Sequence, residues 1–436
     1  MKTHRTAVES LALGLYSATL RLLTPAVLLR YWWRGRAEPT YRLAMRERLG
    51  HYAGKAPTGM FWLHAVSLGE TRAAAALIAA LRAQLPHMRL LLTHGTATGR
   101  DAGQSLLREG DQQAWLPLDT PGATQRFFTH FKPLVGVLME TELWPNLLHA
   151  AQEAAVPMVL ANARLSEKSQ RKGERLAALL RPALHSLRLA MAQTEDDARR
   201  LRDSGAGEVV VAGNLKFDMT PDAGQLARGR SWREASPRTI ALAASTREGE
   251  EGQLLTLWQS LPAPRPLLLI VPRHPQRFDA VAQLVHSSGL SLARRGAWGD
   301  VPSPDATNAD VWLGDSMGEM AVYYAAAHVA LLGGSFEKLG GQNLIEAAAC
   351  GCPVVMGPHT FNFAEAAELA LGAGAALRVD GLAEGVRRAV ALAGDAMHAP
   401  TSARALAFAA AHRGAGQRMA TALAALATTH AKPTDA

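Results

Sequence analysis

Cysteine is almost absent from this 436-residue chain: Cys350 and Cys352, in "CGCP", are the only two. Neighbours so close make a poor staple, and four-ligand metal spacing is missing. They read as small, reduced core residues of a cytosolic protein. No D-x-D motif occurs, which weakens the case for a metal bridging a diphosphate. Zinc spacing and basic runs interleaved with aromatics are also missing, so no nucleic-acid partner is expected. A long uninterrupted apolar run is lacking too. The N-terminal stretch "AVESLALGLYSATLRLLTPAVLLRYWWRGR" is apolar, but Glu9, Arg21 and Pro25 interrupt it. A spanning helix wants roughly 20 consecutive apolar residues, and Arg21 breaks the pattern of a signal peptide. Tyr31, Trp32 and Trp33, followed by Arg34 and Arg36, suit a membrane–water interface. Residues 1–36 are therefore expected to form a membrane-associating segment lying on the cytoplasmic face. A short tilted span and an ordinary docked helix are the alternatives.

What is present is globular: 48% apolar, 19% charged, with a net charge of +8 in which arginine greatly outnumbers lysine. That surplus favours a phosphate-bearing partner or an anionic membrane surface; Arg-rich codon usage is the bland alternative. From residue 60 short apolar runs alternate with helical stretches: "FWLHAV", "RLLLTHG", "PLVGVLM", "PMVLANA", "LAMAQT", "VVVAG". A second series follows: "TIALAAS", "PLLLIVP", "ADVWLGD", "HVALLGGS", "CPVVMGP", "AALRVD". This is βαβ punctuation and predicts an α/β protein with parallel sheets. Two such halves predict two Rossmann-like domains facing across a cleft, with ligands beyond the carboxyl ends of the strands. The expected boundaries are residues 37–217 for the first domain and 238–425 for the second. A polar, breaker-rich linker is expected at 218–237 and a frayed tail at 426–436.

The loops after strands carry the candidate chemistry. Ser67-Leu68-Gly69-Glu70 fits a capping box. Gly69 removes a side chain where a ligand could approach, and the Glu70 carboxylate could take a proton from a hydroxyl. The helix start favours its ionised form. Glu140 and Glu142 follow another strand and could orient a substrate hydroxyl, hold a metal or pair with Arg. Pro272 and Arg273 end a strand, with Arg273 set to meet a phosphate. Met317, Gly318 and Glu319 have the same layout before a helix that could hold an anion. Two glycine pairs, Gly333-Gly334 and Gly340-Gly341, precede Asn343, Leu344, Ile345 and Glu346. Asn343 can cap that helix, and Glu346 could accept bonds from ribose hydroxyls.

Together "HAVSLGE", "ETELWPN", "NARLSEKS", "GNLKFD", "VPRHPQRF", "GDSMGEM", "GGSF" and "GGQNLIEAAACGCPVVMGPHTFNF" resemble the bacterial 3-deoxy-D-manno-octulosonic acid (Kdo) transferases of lipid A assembly. They occur in family order from about residue 40 to residue 390. The resemblance implies a GT-B glycosyltransferase at the cytoplasmic face of the inner membrane, moving Kdo from CMP-Kdo to a lipid A precursor without cofactor or metal. It implies Glu70 as general base. It places Pro272, Arg273, Met317 to Glu319 and Asn343 to Glu346 around CMP, and Ser67, Gly69, Glu140 and Glu142 on the sugar and acceptor side. The chain departs from the family pattern at Arg247 and Gln342, where His is usual, and at Leu344, where Pro is usual. A transferase for another nucleotide sugar and a sugar-nucleotide epimerase are the rival readings.

Overall fold

The computed structural model describes residues 5–431, and the chain divides into two compact units. Unit 1 comprises Met1–Asp218 and Arg413–Ala436; unit 2 comprises Met219–His412.

Each unit is built on a seven-stranded sheet whose paired strands are parallel. In unit 1 the spatial order is Gln112–Trp115, Leu90–His94, Phe61–His64, Val135–Met139, Met158–Ala163, Leu189–Ala192, Val209–Val211. In unit 2 it is Leu292–Arg294, Val311–Leu313, Leu267–Pro272, Ile240–Thr246, Val329–Leu332, Val354–Met356, Ala376–Arg378. The inner strands are buried on both faces, as runs such as "LLLIVP" demand. One face of the first sheet packs Trp62, Leu138 and Leu160 against Phe127 and Leu147. The other packs Leu63, Leu92 and Val137 against Leu77 and Leu81 of the helix Leu68–Gln84.

In both sheets the winding direction reverses once at the centre. It reverses between Phe61–His64 and Val135–Met139 in unit 1, and between Ile240–Thr246 and Val329–Leu332 in unit 2. Such switch points open a crevice at the carboxyl ends of the two strands.

Two expected boundaries are corrected. The stretch 218–237 is not a linker: Ala223–Ala235 is a helix, capped by the Asp222 side chain, within unit 2. It packs against the helix Met320–Ala326 so closely that a Cβ on Gly229 would lie 2.3 Å from the Val322 carbonyl oxygen. Its Trp232 is fully buried. The second domain also ends earlier than residue 425. The helix Ala415–Ala431 belongs to unit 1, where Met419, Leu423 and Ala427 join the core beside the helix Leu68–Gln84. Asp218 starts it by accepting the Gly414 and Ala415 N–H groups at 2.6 and 3.2 Å, and that of Gly416. Residues 426–431, expected to be frayed, are therefore helical; 432–436 lie outside the described residues.

The N-terminal segment is one helix, Ala7–Arg34, started by a Thr6–Glu9 capping box. It is long and apolar enough to cross a membrane, yet its middle is tied to unit 1. The Tyr16 hydroxyl donates to Asp119 at 2.9 Å and Ser17 to Asn146 Oδ1 at 2.9 Å. At its far end the Arg48 guanidinium, itself buried, lies 3.8 Å from the Tyr31 ring centroid and 4.0 Å from that of Trp115. The opposite face is bare: Val8, Leu11, Leu15, Leu22 and Leu29 are all exposed, Leu22 at 82%.

Candidate active site

Glu70 lies in the first turn of Leu68–Gln84, just past the carboxyl end of Phe61–His64. Ser67 caps that helix: its Oγ accepts the Glu70 N–H at 3.4 Å. The Glu70 carboxylate in turn accepts the Ser67 hydroxyl at 3.0 Å and the Val66 N–H at 2.9 Å. It thus reaches one residue beyond the cap, a variant of the expected box. Gly69 is exposed, and a Cβ there would meet only Ser67 Oγ, at 3.9 Å, so the turn presents open backbone.

The switch point brings Glu70 together with Glu140 and Glu142, which follow the neighbouring strand Val135–Met139. Glu140 has φ +57°, left-handed for a residue with a Cβ, which costs about 1–2 kcal/mol. Glu140 N–H bonds back to the Ala161 carbonyl and Glu142 N–H to that of Met139, so the loop folds over the strand end. Burial, and next the Glu70 charge, push the Glu142 carboxyl up to about 7, with the Trp144 indole pulling the other way. The Glu70 carboxyl is also raised. Burial is the main cause and outweighs the Val66 and Ser67 donors; Glu140 adds repulsion and Lys216 attraction.

The local sequence does not single out Lys216 of "GNLKFD", whose charge acts on Glu70. Its turn is fixed by buried Asn162, whose Oδ1 accepts the Leu215 N–H at 3.0 Å. Asn162 too has a left-handed φ, +53°, at a register shift near the end of Met158–Ala163.

In unit 2 the predicted residues share the carboxyl edge of one sheet. Pro272 closes its strand, and exposed Arg273 follows, its N–H bonded to the Thr246 carbonyl at 3.0 Å. Met317 and Gly318 lie beyond Val311–Leu313 as an exposed turn, with Gly318 at φ +79°. Glu319 is engaged by protein. Arg295 grips it with two bonds of 3.0 Å and Arg228 with one of 3.0 Å. At this turn Met317 and Gly318 are exposed, and the Gly318 carbonyl accepts the Gln225 amide N–H at 3.0 Å. Asn343 caps Leu344–Ala349, its Oδ1 accepting the Ile345 N–H at 3.1 Å. Leu344 and Ile345 are buried in that helix, and Glu346 is half-buried.

Glu250 was also overlooked. It is 4% exposed, and both its oxygens accept the Gly334 N–H, at 2.8 and 2.9 Å. One of them also takes the Arg247 N–H at 2.8 Å. A single buried carboxylate therefore pins both loops at the switch point. The two glycine pairs meet as well, since the Gly341 N–H donates to the Gly334 carbonyl at 2.8 Å.

The family model for 3-deoxy-D-manno-octulosonic-acid transferase (kdotransferase) matches residues 44–219. The chain is 47% identical over 426 residues to the 3-deoxy-D-manno-octulosonic acid transferase of Bordetella pertussis, covering 94% of this chain and 98% of that one. It is 34% identical over 386 residues to the Haemophilus influenzae enzyme of the same name, covering 86% and 89%. Among solved structures, the UDP-GlcNAc 2-epimerase from Neisseria meningitidis bound to UDP-GlcNAc has a TM-score of 0.54 at 16% identity, covering 85% and 100%. A glycosyltransferase from Rickettsia africae has 0.55 at 11%, covering 86% and 100%. At such low identity these two speak for the fold alone, the doubly wound pair of domains of the GT-B type. The identity to the Bordetella and Haemophilus enzymes runs through both units, and this chain belongs to the 3-deoxy-D-manno-octulosonic acid transferases, a family of glycosyltransferases.

Proposed function

We propose that the chain moves Kdo from CMP-Kdo to a lipid A precursor, lipid IVA, with inversion at the anomeric carbon and Glu70 as general base. The observation that carries this reading is the acidic cluster at the unit 1 switch point, in a chain of this family. An acceptor hydroxyl oxygen attacks the anomeric carbon, and its proton passes to Glu70. The bond from that carbon to the phosphate oxygen breaks, its electron pair leaving with CMP. Arg273 and the N–H groups of the exposed Met317–Gly318 turn take up the phosphate charge. Asn343 and Glu346 address the ribose. Ser67 and Gly69 shape the floor, and Glu140 and Glu142 hold the acceptor sugar.

A lipid acceptor fits two further features. A cavity of about 420 Å³ runs between the N-terminal helix, at Leu20 and Val27, and His64 and Val66 at a strand end with Trp144 at the start of Pro145–Glu153. Val66 and Trp144 adjoin Glu70 and Glu142 respectively. The bare apolar face of the helix suits the headgroup region of a bilayer. Its midpoint bonds to Asp119 and Asn146 favour a helix lying on the cytoplasmic face of the inner membrane over one that spans it.

The decisive assay incubates the purified chain with CMP-Kdo and a tetra-acylated lipid A precursor and reads product masses. Lipid products heavier by Kdo units are expected. CMP release with no gain on the lipid would refute the acceptor, and preference for a UDP-sugar would refute the donor.

Glu140→Gln removes a like charge that raises the Glu70 carboxyl, so the Glu70 carboxylate forms at lower pH. The acid limb of the kcat/KM profile should therefore move to lower pH. A limb that stays in place would separate the two groups functionally. Leu15→Glu with Leu22→Glu should cut partition onto anionic vesicles by about tenfold or more. The fold should persist, because both side chains are exposed. Undiminished partition would assign membrane contact elsewhere.

A further inference from the structure

At the switch point of unit 2, Arg247 follows Ile240–Thr246 and Arg273 follows Leu267–Pro272, the strand paired beside it. Thr246 and Pro272 are register partners, so the two arginines leave adjacent strand ends. Neighbouring strands lie about 4.8 Å apart. Neither guanidinium has an ion-pair partner among the described residues, whereas Arg228, Arg277, Arg294 and Arg295 of the same unit are paired with carboxylates. Arg247 is also held in place. Its N–H is bound by Glu250, which binds Gly334 across the switch point. A Cβ on Gly334 would meet Gln342 Nε2 at 3.4 Å and Arg247 Cγ at 3.7 Å. Arg247 and Gln342 thus lie beside one and the same glycine, with Leu339 Cβ against it as well, at 3.5 Å.

We propose that Arg247 and Gln342 form a carboxylate seat for the donor sugar, beside the phosphate contact at Arg273. The proposal rests on CMP-Kdo being the donor. In a 2-ketulosonic acid activated at its anomeric carbon, carboxylate and phosphoester share that one carbon. Two anionic groups so close call for two cations side by side, one a planar fork suited to a carboxylate. Gln342 adds a neutral donor. A nucleotide sugar built on an aldose carries hydrogen where the carboxylate stands, and leaves Arg247 without its anion. The seat would therefore select ketulosonic acid donors over aldose donors.

The test compares KM for CMP-Kdo with Ki for CMP, which has the phosphate but no sugar carboxylate. Arg247→Ala is expected to raise donor KM by about 10- to 100-fold with little change in kcat, and to leave the Ki of CMP near the parent value. That unchanged Ki also reports an intact fold. Arg273→Ala should weaken both. Arg247→Lys should recover part of the loss, and Gln342→Ala should show a smaller defect of the same pattern. A CMP Ki that rises in step with donor KM in Arg247→Ala would move Arg247 to the phosphate and overturn the seat. So would an unchanged donor KM. A parent enzyme that does not turn over CMP-Kdo refutes the donor reading itself, and this proposal with it.

Discussion

Glu70→Gln is expected to slow transfer by about 10²–10⁴-fold, the usual worth of a positioned general base, with CMP binding unchanged. The amide keeps the size of the side chain and can still accept the Val66 N–H. Ser67 remains the cap, so the helix Leu68–Gln84 should lose no more than about 1 kcal/mol. Loss of proton acceptance is then the main consequence. Single-turnover rates with saturating donor isolate the chemical step, and CMP Ki reports the nucleotide site. A single-turnover rate close to the parent's would remove Glu70 as the base. Glu142 would be the next candidate, since its carboxyl, pushed up to about 7 by burial and the Glu70 charge, titrates near physiological pH.

Asp119→Ala should destabilise the chain by on the order of 3–5 kcal/mol. Asp119 is 4% exposed and ties three elements together. Its carboxylate accepts the Asn146 and Leu147 N–H groups at 3.1 and 2.7 Å, at the start of Pro145–Glu153. It also accepts the Tyr16 hydroxyl from the N-terminal helix. Truncation leaves two buried backbone donors and the half-buried Tyr16 hydroxyl without that acceptor, each buried one costing about 1–3 kcal/mol in part offset by relaxation. Denaturant unfolding of the full chain measures it, and a loss below about 1 kcal/mol would show that the helix is held by its apolar contacts alone.

Asp119→Asn adds a signed test. Burial raises the Asp119 carboxyl to about 6 in the folded chain. A raised acid contributes stability that is full below its unfolded pKa and is lost as pH rises through the folded value. The advantage of the parent over Asp119→Asn should therefore shrink between about pH 4 and pH 6. Buried His64 and His94, lowered to about 3 and about 4 chiefly by desolvation, act in the opposite sense. Their contribution falls away as pH drops below the ordinary histidine value, so the comparison must be made between variants at each pH rather than along one curve.

The inner strands were legible because they are buried on both faces and so must be apolar throughout: "LLLIVP" or "VGVLM" admits little else. The two strands missed, Gln112–Trp115 and Leu292–Arg294, are edge strands. Gln112, Gln113 and the whole of Leu292–Arg294 are half-exposed, and a strand with one neighbour needs no unbroken apolar run. Ala223–Ala235 was mistaken for a linker because its composition is polar. Its helix is secured by Trp232 and by the close approach at Gly229, contacts with residues far along the chain. The return of Ala415–Ala431 to unit 1 was hidden for a related reason: an apolar helix face declares that it needs a core, not which core.

The same division holds for chemistry. Ser67, Glu70, Arg273 and Asn343 could be picked out from local pattern, since caps and strand ends are written in adjacent residues. That Glu70 meets Glu142, that Glu250 pins Gly334, and that Arg247 and Gln342 flank that same glycine depended on strand order. Strand order is decided by pairing and packing between segments distant in the chain, energies that no local run of residues records.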